Sequence, residues 1–229
     1  MIKLKSTKDV ASERVVALIV GPSGIGKTSL AKTLPEKETL IVSAESGLLC
    51  LTGTSYDVAE IKTQKDMEDV YVFLNSDDAK KKYKNIFIDS LTELGELYLN
   101  ELKNSDKFKD PKMALKMYGE YNDDFTALVK AYRDIRPYSV FFTCLNCFDK
   151  DGLQLVESFN FPGSKVKENV KAWFDLVVKY ECFEHEGKKF RKLISDVAIN
   201  QLAKDRSGKL DQYEEANLTT IKNKILGGN

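Results

Sequence analysis

Apolar residues along this chain fall into two alternating kinds of segment. Residues 15–20 (VVALIV), 39–43 (TLIVS), 85–89 (NIFID) and 138–145 (YSVFFTCL) are short, nearly continuous apolar runs rich in β-branched and aromatic residues. Such runs suit parallel strands covered on both faces. Residues 28–34 (TSLAKTL), 64–75, 91–102 and 125–135 instead repeat apolar residues at spacings of three and four, which predicts helices. Pro35 and Pro137 stop the first and last of these. The charged stretch 104–112, broken by Pro111, reads as a loop. Strands alternating with helices predict right-handed βαβ units and a mainly parallel sheet. The end of the chain differs. Residues 176–183 and 189–194 flank EHEGK, a hairpin-like turn; residues 197–203 read as a further strand and 214–226 as a closing helix before Gly-Gly-Asn. The predicted fold class is therefore α/β, a mainly parallel twisted sheet flanked by helices, with C-terminal antiparallel strands. There is no internal repeat or low-complexity tract.

The length of 229 residues fits one domain at roughly 100–200 residues each. We expect residues 14–210 to form its core, between an N-terminal segment at 1–13 and a C-terminal helix and tail at 211–229. Hydrophobic residues at 42% are enough for a sizeable core. No apolar run approaches the roughly 20 residues that span a bilayer. The opening MIKLKSTKDVASE lacks the apolar segment of a signal peptide, so the expected location is the cytoplasm, away from membranes. Four cysteines are too few for a disulfide scaffold; Cys144 and Cys147 form a CxxC with no second pair, and flank the end of a predicted strand. Lys plus Arg and Asp plus Glu are 35 each, which excludes a strongly basic protein; any nucleic-acid site must be a local patch.

Candidate chemistry begins directly after the first apolar run. Residues 21–29 read GPSGIGKTS, with the GxxxxGK[ST] pattern at 21–28. Gly21, Pro22, Ser23, Gly24, Ile25, Gly26, Lys27, Thr28 and Ser29 form a loop whose backbone N–H groups can curl around phosphate oxygens, with Lys27 on the β- and γ-phosphates and the Thr28 hydroxyl on Mg²⁺. Its place between a strand and a helix is the context this chemistry needs. The cofactors expected are ATP and Mg²⁺. Asp89, ending the run NIFID, sits where a carboxylate can serve the same metal, or can simply cap the following helix. Glu45, after the second run, reaches the same sheet edge if the two strands are neighbours; it is then a candidate to activate water, and otherwise an exposed loop glutamate.

Taken together, GPSGIGKTS, IVSAESG, IFIDSLTEL, VFFTCLN and LAKDRSGKL resemble the RecA- and Rad51-like P-loop ATPases, and more narrowly the small phage-encoded single-strand annealing proteins of the Sak4 type. The resemblance spans about residues 15–210 and implies a RecA-like core, ATP hydrolysis stimulated by single-stranded DNA, and a role in annealing or homologous recombination. It implies Glu45 as the water-activating base and Asp89-Ser90 as the magnesium anchor. It implies a γ-phosphate sensor at Thr143 or Asn146, with Asn146 favoured. Lys204 and Arg206 match the cations that such proteins insert into a neighbouring subunit's site, which implies a homo-oligomer, ring or filament. A single-strand-binding protein is a further partner of such proteins. DNA is implied to contact the loops after the third and fourth core strands, here 104–121 and 147–170. The second holds Phe148, Phe159, Phe161, Lys165, Lys167 and Lys171, residue types that stack on bases and hold phosphates. The alternative is that its phenylalanines fold back onto the core. Tyr118 and Tyr121 read as helix-packing residues, and Trp173 with Phe174 as an anchor for the next strand.

Two other readings stay open on sequence: a P-loop kinase, and a nucleotide-dependent switch that contacts a protein partner without DNA activity. Such kinases usually carry an arginine-rich lid, whereas Arg14, Arg133, Arg136, Arg191 and Arg206 are scattered along this chain.

Overall fold

A computed structural model describes residues 13–45 and 47–227. Most of the N-terminal segment expected at 1–13, and the last two residues of the tail, therefore lie outside the described residues. The four apolar runs form strands β1 (Val16–Val20), β2 (Thr39–Ser43), β4 (Asn85–Asp89) and β5 (Ser139–Cys144). A strand that the pattern does not predict, β3 (Asp57–Glu60), pairs with the outer side of β2. Its four residues, DVAE, are largely exposed, so it is an edge strand held by backbone pairing and carries no buried apolar run.

Beyond β5 come a separate hairpin, β6 (Asn146–Asp151) with β7 (Gln154–Phe159), then the long pair β8 (Leu176–His185) and β9 (Lys188–Ile194), and two short strands, β10 (Lys204–Asp205) and β11 (Tyr213–Glu215). The main sheet runs β11-β9-β8-β1-β5-β4-β2-β3. From β8 to β3 every neighbouring pair is parallel, while β9, β10 and β11 are antiparallel. The β8–β9 turn is Glu186-Gly187, both at positive φ (51° and 73°), as a two-residue hairpin requires.

Side chains alternate across the sheet and build two cores. On one face Leu18, Val20, Ile86, Ile88, Val140 and Phe142 pack under helices α1 (Gln64–Leu74), α3 (Leu91–Asn104), α4 (Ala114–Asp134) and α5 (Ser164–Trp173), with the short α2 (Asp77–Lys82) contributing Ala79. On the other, Ala17, Ile19, Ile41, Phe87 and Phe141 meet Leu30, Ala31 and helix α6 (Leu218–Leu226). Helix starts follow capping chemistry. Thr63 and Asp66 form a reciprocal capping box on α1, and the side chains of Ser90 and Asn217 cap α3 and α6.

Four expectations are corrected. Residues 28–33 form a 3₁₀ helix instead of an α-helix. Helix α4 starts at Ala114, because Met117, Tyr121, Phe125 and Val129 continue one buried face at spacing four; the loop expected over 104–121 is therefore partly helical. Residues 197–203 form turns, not a strand: Asp196 and Asn200 side chains accept the backbone N–H groups of Ala198 and Leu202, and Val197 stays 60% exposed. The closing helix begins at Leu218, with 213–215 in β11. No helix among the described residues is long and apolar enough to cross a membrane.

Candidate active site

The carboxyl ends of β1, β5, β4 and β2 place four segments side by side. The loop after β1 is shaped by Gly24 and Gly26, which hold φ of +75° and +105°. Gly21 is needed for another reason: a Cβ there would lie 2.9 Å from the Tyr180 carbonyl oxygen on β8. The loop leads into the 3₁₀ helix at Thr28–Thr33, and Lys27 folds back over it, donating to the carbonyl oxygens of Gly21 and Pro22 at 3.0 Å each. Burial lowers the Lys27 pKa, with Asp89 and Glu45 pulling it back up.

Asp89 is buried at the end of β4 and is gripped from two sides. Thr28 Oγ1 donates to its Oδ2 at 2.5 Å, and Thr143 Oγ1, from β5, donates to Oδ1. A hydroxyl and a carboxylate in contact at a phosphate loop are the hard oxygen donors that Mg²⁺ takes alongside phosphate oxygens and water, so Thr28 and Asp89 fit that ion. Ser90 caps α3 and also donates to Glu45 Oε1 at 2.6 Å, which turns the Glu45 carboxylate toward the cleft. Register explains the meeting: β2 pairs with β4 so that Ser43 lies opposite Asp89, and Ala44 N donates to the Asp89 carbonyl at 2.8 Å. The resulting cleft, of about 600 Å³, is lined by the loop together with Glu45, Glu93 and Leu145. Glu93 was not legible as a site residue. Its carboxyl pKa is raised by partial burial and by Glu45 and Glu96.

Asn146, the first residue of β6, donates through Nδ2 to Glu157 Oε1 on β7 at 2.6 Å, while its own Oδ1 is buried without a partner among the described residues. Glu157 also receives Lys179 Nζ from β8 and Asn200 Nδ2 at 2.9 Å. Thr143, the other sensor candidate, instead holds Asp89. Lys179 is only 2% exposed and lies opposite Val20 in the register, immediately before the phosphate loop. A lone lysine inside the apolar run LVVKY was the one sequence signal for this network.

A family model described as an AAA domain matches residues 13–207. The chain belongs to the AAA domain family. Its core is accordingly an AAA-type P-loop ATPase domain built on a mainly parallel sheet flanked by helices. Among solved structures, one similar chain is a KaiC-like protein from the hyperthermophilic archaeon Pyrococcus horikoshii OT3, at 12% identity and a TM-score of 0.40, covering 79% of this chain and 77% of that one. A comparison with curated proteins finds no match.

The AAA domain does not bring all the expected residues to this cleft. Lys204 and Asp205 pair with the beginning of β8, at the amino edge of the sheet and the far side from the phosphate loop. Lys204 is tied down there: its Nζ donates to the carbonyls of Phe174 (2.6 Å) and Lys171 (2.9 Å) at the end of α5, and burial with nearby Arg206 lowers its pKa. Arg206 is exposed and pairs with Asp175 at 2.8 Å. Arg14 and Arg136 line the same hollow as Arg206, and Arg133 lies in the adjoining one, so arginines scattered in sequence gather at this edge.

Phe159 and Phe161 are buried at 4% and 3% exposure, Phe161 packing against Phe125, so neither presents a ring to a base. This corrects their assignment as nucleic-acid contacts: an apolar hairpin end closes over the core. The segment 147–170 is correspondingly the β6–β7 hairpin and the start of α5, not an open loop. Lys165 and Lys167 lie on α5; Lys165 is exposed, 3.4 Å from Asp123, while Lys167 pairs with Asp149 at 2.9 Å. Phe148 is the exposed phenylalanine of the hairpin, and Tyr121 and Phe174 are fully buried, as packing residues.

Two carboxylates therefore face the cleft, and substitution separates them. Glu45→Gln is expected to lower ATP turnover about a hundredfold or more while nucleotide still binds, the usual scale for a positioned base. Glu93→Gln is expected to keep turnover within a few-fold. Because the Glu93 pKa is raised in the fold, its folded form holds its proton more tightly. Its ionisation thus weakens the fold as pH rises from the unfolded value through the raised one. Glu93→Gln should remove that part of the pH dependence, which thermal melts between pH 4 and pH 7 would detect.

Proposed function

We propose that this AAA domain hydrolyses ATP with Mg²⁺ and, assembled on single-stranded DNA, promotes strand annealing and homologous recombination in the manner of the phage proteins its motifs resemble. The observation that carries the catalytic part is the convergence of Lys27, the Thr28–Asp89 pair and Ser90-held Glu45 at one sheet edge. Lys27 leaves its two carbonyl partners for phosphate oxygens and holds the negative charge of the triphosphate. Glu45 accepts a proton from water as the water oxygen bonds to the γ-phosphorus. The bond from that phosphorus to the bridging oxygen breaks, and ADP leaves with the electron pair. Thr28 and Asp89 would hold Mg²⁺, which would supply further charge neutralisation. Asn146 is the proposed sensor of the γ-phosphate: its Nδ2, given to Glu157 in this structure, is the atom that can donate to a phosphate oxygen.

Assembly supplies the other charge. Arg206 lies at the sheet edge opposite its own Lys27, so it serves only a site in a neighbouring copy; Lys204 acts there by holding the end of α5 and the KDRSG turn in place. DNA is placed along α5 and the β6–β7 hairpin, where Lys165 and Phe148 are exposed, with Lys167 on the same helix. A single-strand-binding protein is a proposed partner. Annealing of complementary oligonucleotides tests the assignment: the chain with ATP should accelerate duplex formation, and no acceleration would contradict it. In the same assay Arg206→Ala should bind nucleotide normally yet lose turnover. An Arg206→Ala protein that is fully active alone would rule out the role in a neighbouring site.

A further inference from the structure

Arg191 is a second arginine near a nucleotide, and this one belongs to the same chain. It stands on β9 opposite Cys182, two residues before Leu193, which faces Tyr180. Cross-strand partners and alternate residues share a sheet face. Arg191 therefore lies on the face that carries Leu193, Tyr180 and the helix following the phosphate loop. A carbon added at Gly26 would sit 4.0 Å from Arg191 Nε and 3.9 Å from the Tyr180 ring, so the guanidinium borders the loop itself. Arg191 is exposed and, among the described residues, makes no hydrogen bond or ion pair. A guanidinium beside a phosphate cradle with all its donors free is suited to bidentate contact with phosphate oxygens.

Sheet order fixes which end of the nucleotide it meets. Thr28, Asp89 and Glu45 occupy the flank of β1 toward β4 and β2. Arg191 and Tyr180 occupy the opposite flank, toward β8 and β9. With the γ-phosphate on the first flank, the α-phosphate and ribose extend toward the second. We propose that Arg191 binds the α-phosphate and ribose end of the nucleotide held by its own chain, as a positioning residue. This rests on the nucleotide-binding reading above but not on its DNA part.

Calorimetric titration of the full chain with Mg-ADP and with a non-hydrolysable Mg-ATP analogue, without DNA, tests the proposal. Arg191→Ala should weaken both by the same factor, about ten- to hundredfold, the scale of charge-assisted hydrogen bonds. Arg191→Lys should recover part of that loss because the charge is kept but the planar fork is not. Unchanged melting temperatures would show that the fold is intact, as expected for an exposed position. Unchanged affinity for both ligands would overturn the proposal. A loss confined to the ATP analogue would overturn it too, because it would put Arg191 on the γ-phosphate. If the wild type binds neither ligand, the phosphate-loop reading fails first and the proposal falls with it.

Discussion

Lys27→Ala is expected to reduce ATP turnover about a thousandfold or more, to the floor of a phosphate-release assay. Lys27 is 8% exposed, and burial has already lowered its pKa, so the charge sits where water screens it little. It donates to the Gly21 and Pro22 carbonyls. Both acceptors belong to the loop, so the alanine variant should fold and melt close to the wild type. The loss is then read as a loss of phosphate recognition. Turnover within tenfold of wild type would mean that the loop is not the catalytic cradle.

Lys179→Ala should have the largest effect on stability. Lys179 is 2% exposed and Glu157 14% exposed, and the two are in direct contact. Removing the lysine leaves the Glu157 carboxylate, among the described residues, with only Asn146 and Asn200 as side-chain donors. Breaking a buried pair from one side costs roughly 3–5 kcal/mol, because the remaining charge is uncompensated. Urea unfolding would measure it. The double variant Lys179→Met with Glu157→Leu should regain part of the loss, since no charge is left uncompensated, while Asn146 and Asn200 lose their acceptor. A Lys179→Ala cost under about 1 kcal/mol would show that the pair contributes little. The same network joins Asn146, β7, β8 and the turns at 197–203, so a defect here should also disturb the proposed γ-phosphate sensor.

The parts of the fold that were legible in the sequence are those whose cause is local. Residues 15–20, 85–89 and 139–144 are buried on both faces, and their apolar runs announce it. The phosphate loop is legible because backbone curvature demands glycine at fixed positions. Asp89 and Glu45 lie at the same sheet edge as the phosphate loop because strand ends in a parallel sheet share one edge, although neither β4 nor β2 is the neighbour of β1 that was expected. What was hidden depends on distant chain. Strand β3 exists because β2 offers it an edge to pair with. The first turns of α4 are masked by charges between Met117 and Phe125, on the side away from the core. Val197–Ile199 carries strand-forming residues, yet Asp196 and Asn200 win the backbone with local hydrogen bonds. Phe159 and Phe161 have the composition of a stacking platform, and only the folded hairpin shows them buried. Arg191 and the partner of Lys179 are hidden for the same reason, since no linear spacing links β9 to residue 26 or β7 to β8; only the lone lysine in LVVKY marks the Glu157–Lys179 network in the sequence.

We propose that Lys27, Asp89 and Glu45 form one ATP-hydrolysing site that answers to single-stranded DNA. Steady-state ATP hydrolysis by the full chain with Mg²⁺, with and without a long single-stranded oligonucleotide, tests it most directly. Measurable turnover is expected that rises several-fold with the oligonucleotide and is absent in Lys27→Ala under both conditions. A rate unchanged by any single-stranded DNA would contradict the recombination reading, and no turnover under either condition would contradict the site itself.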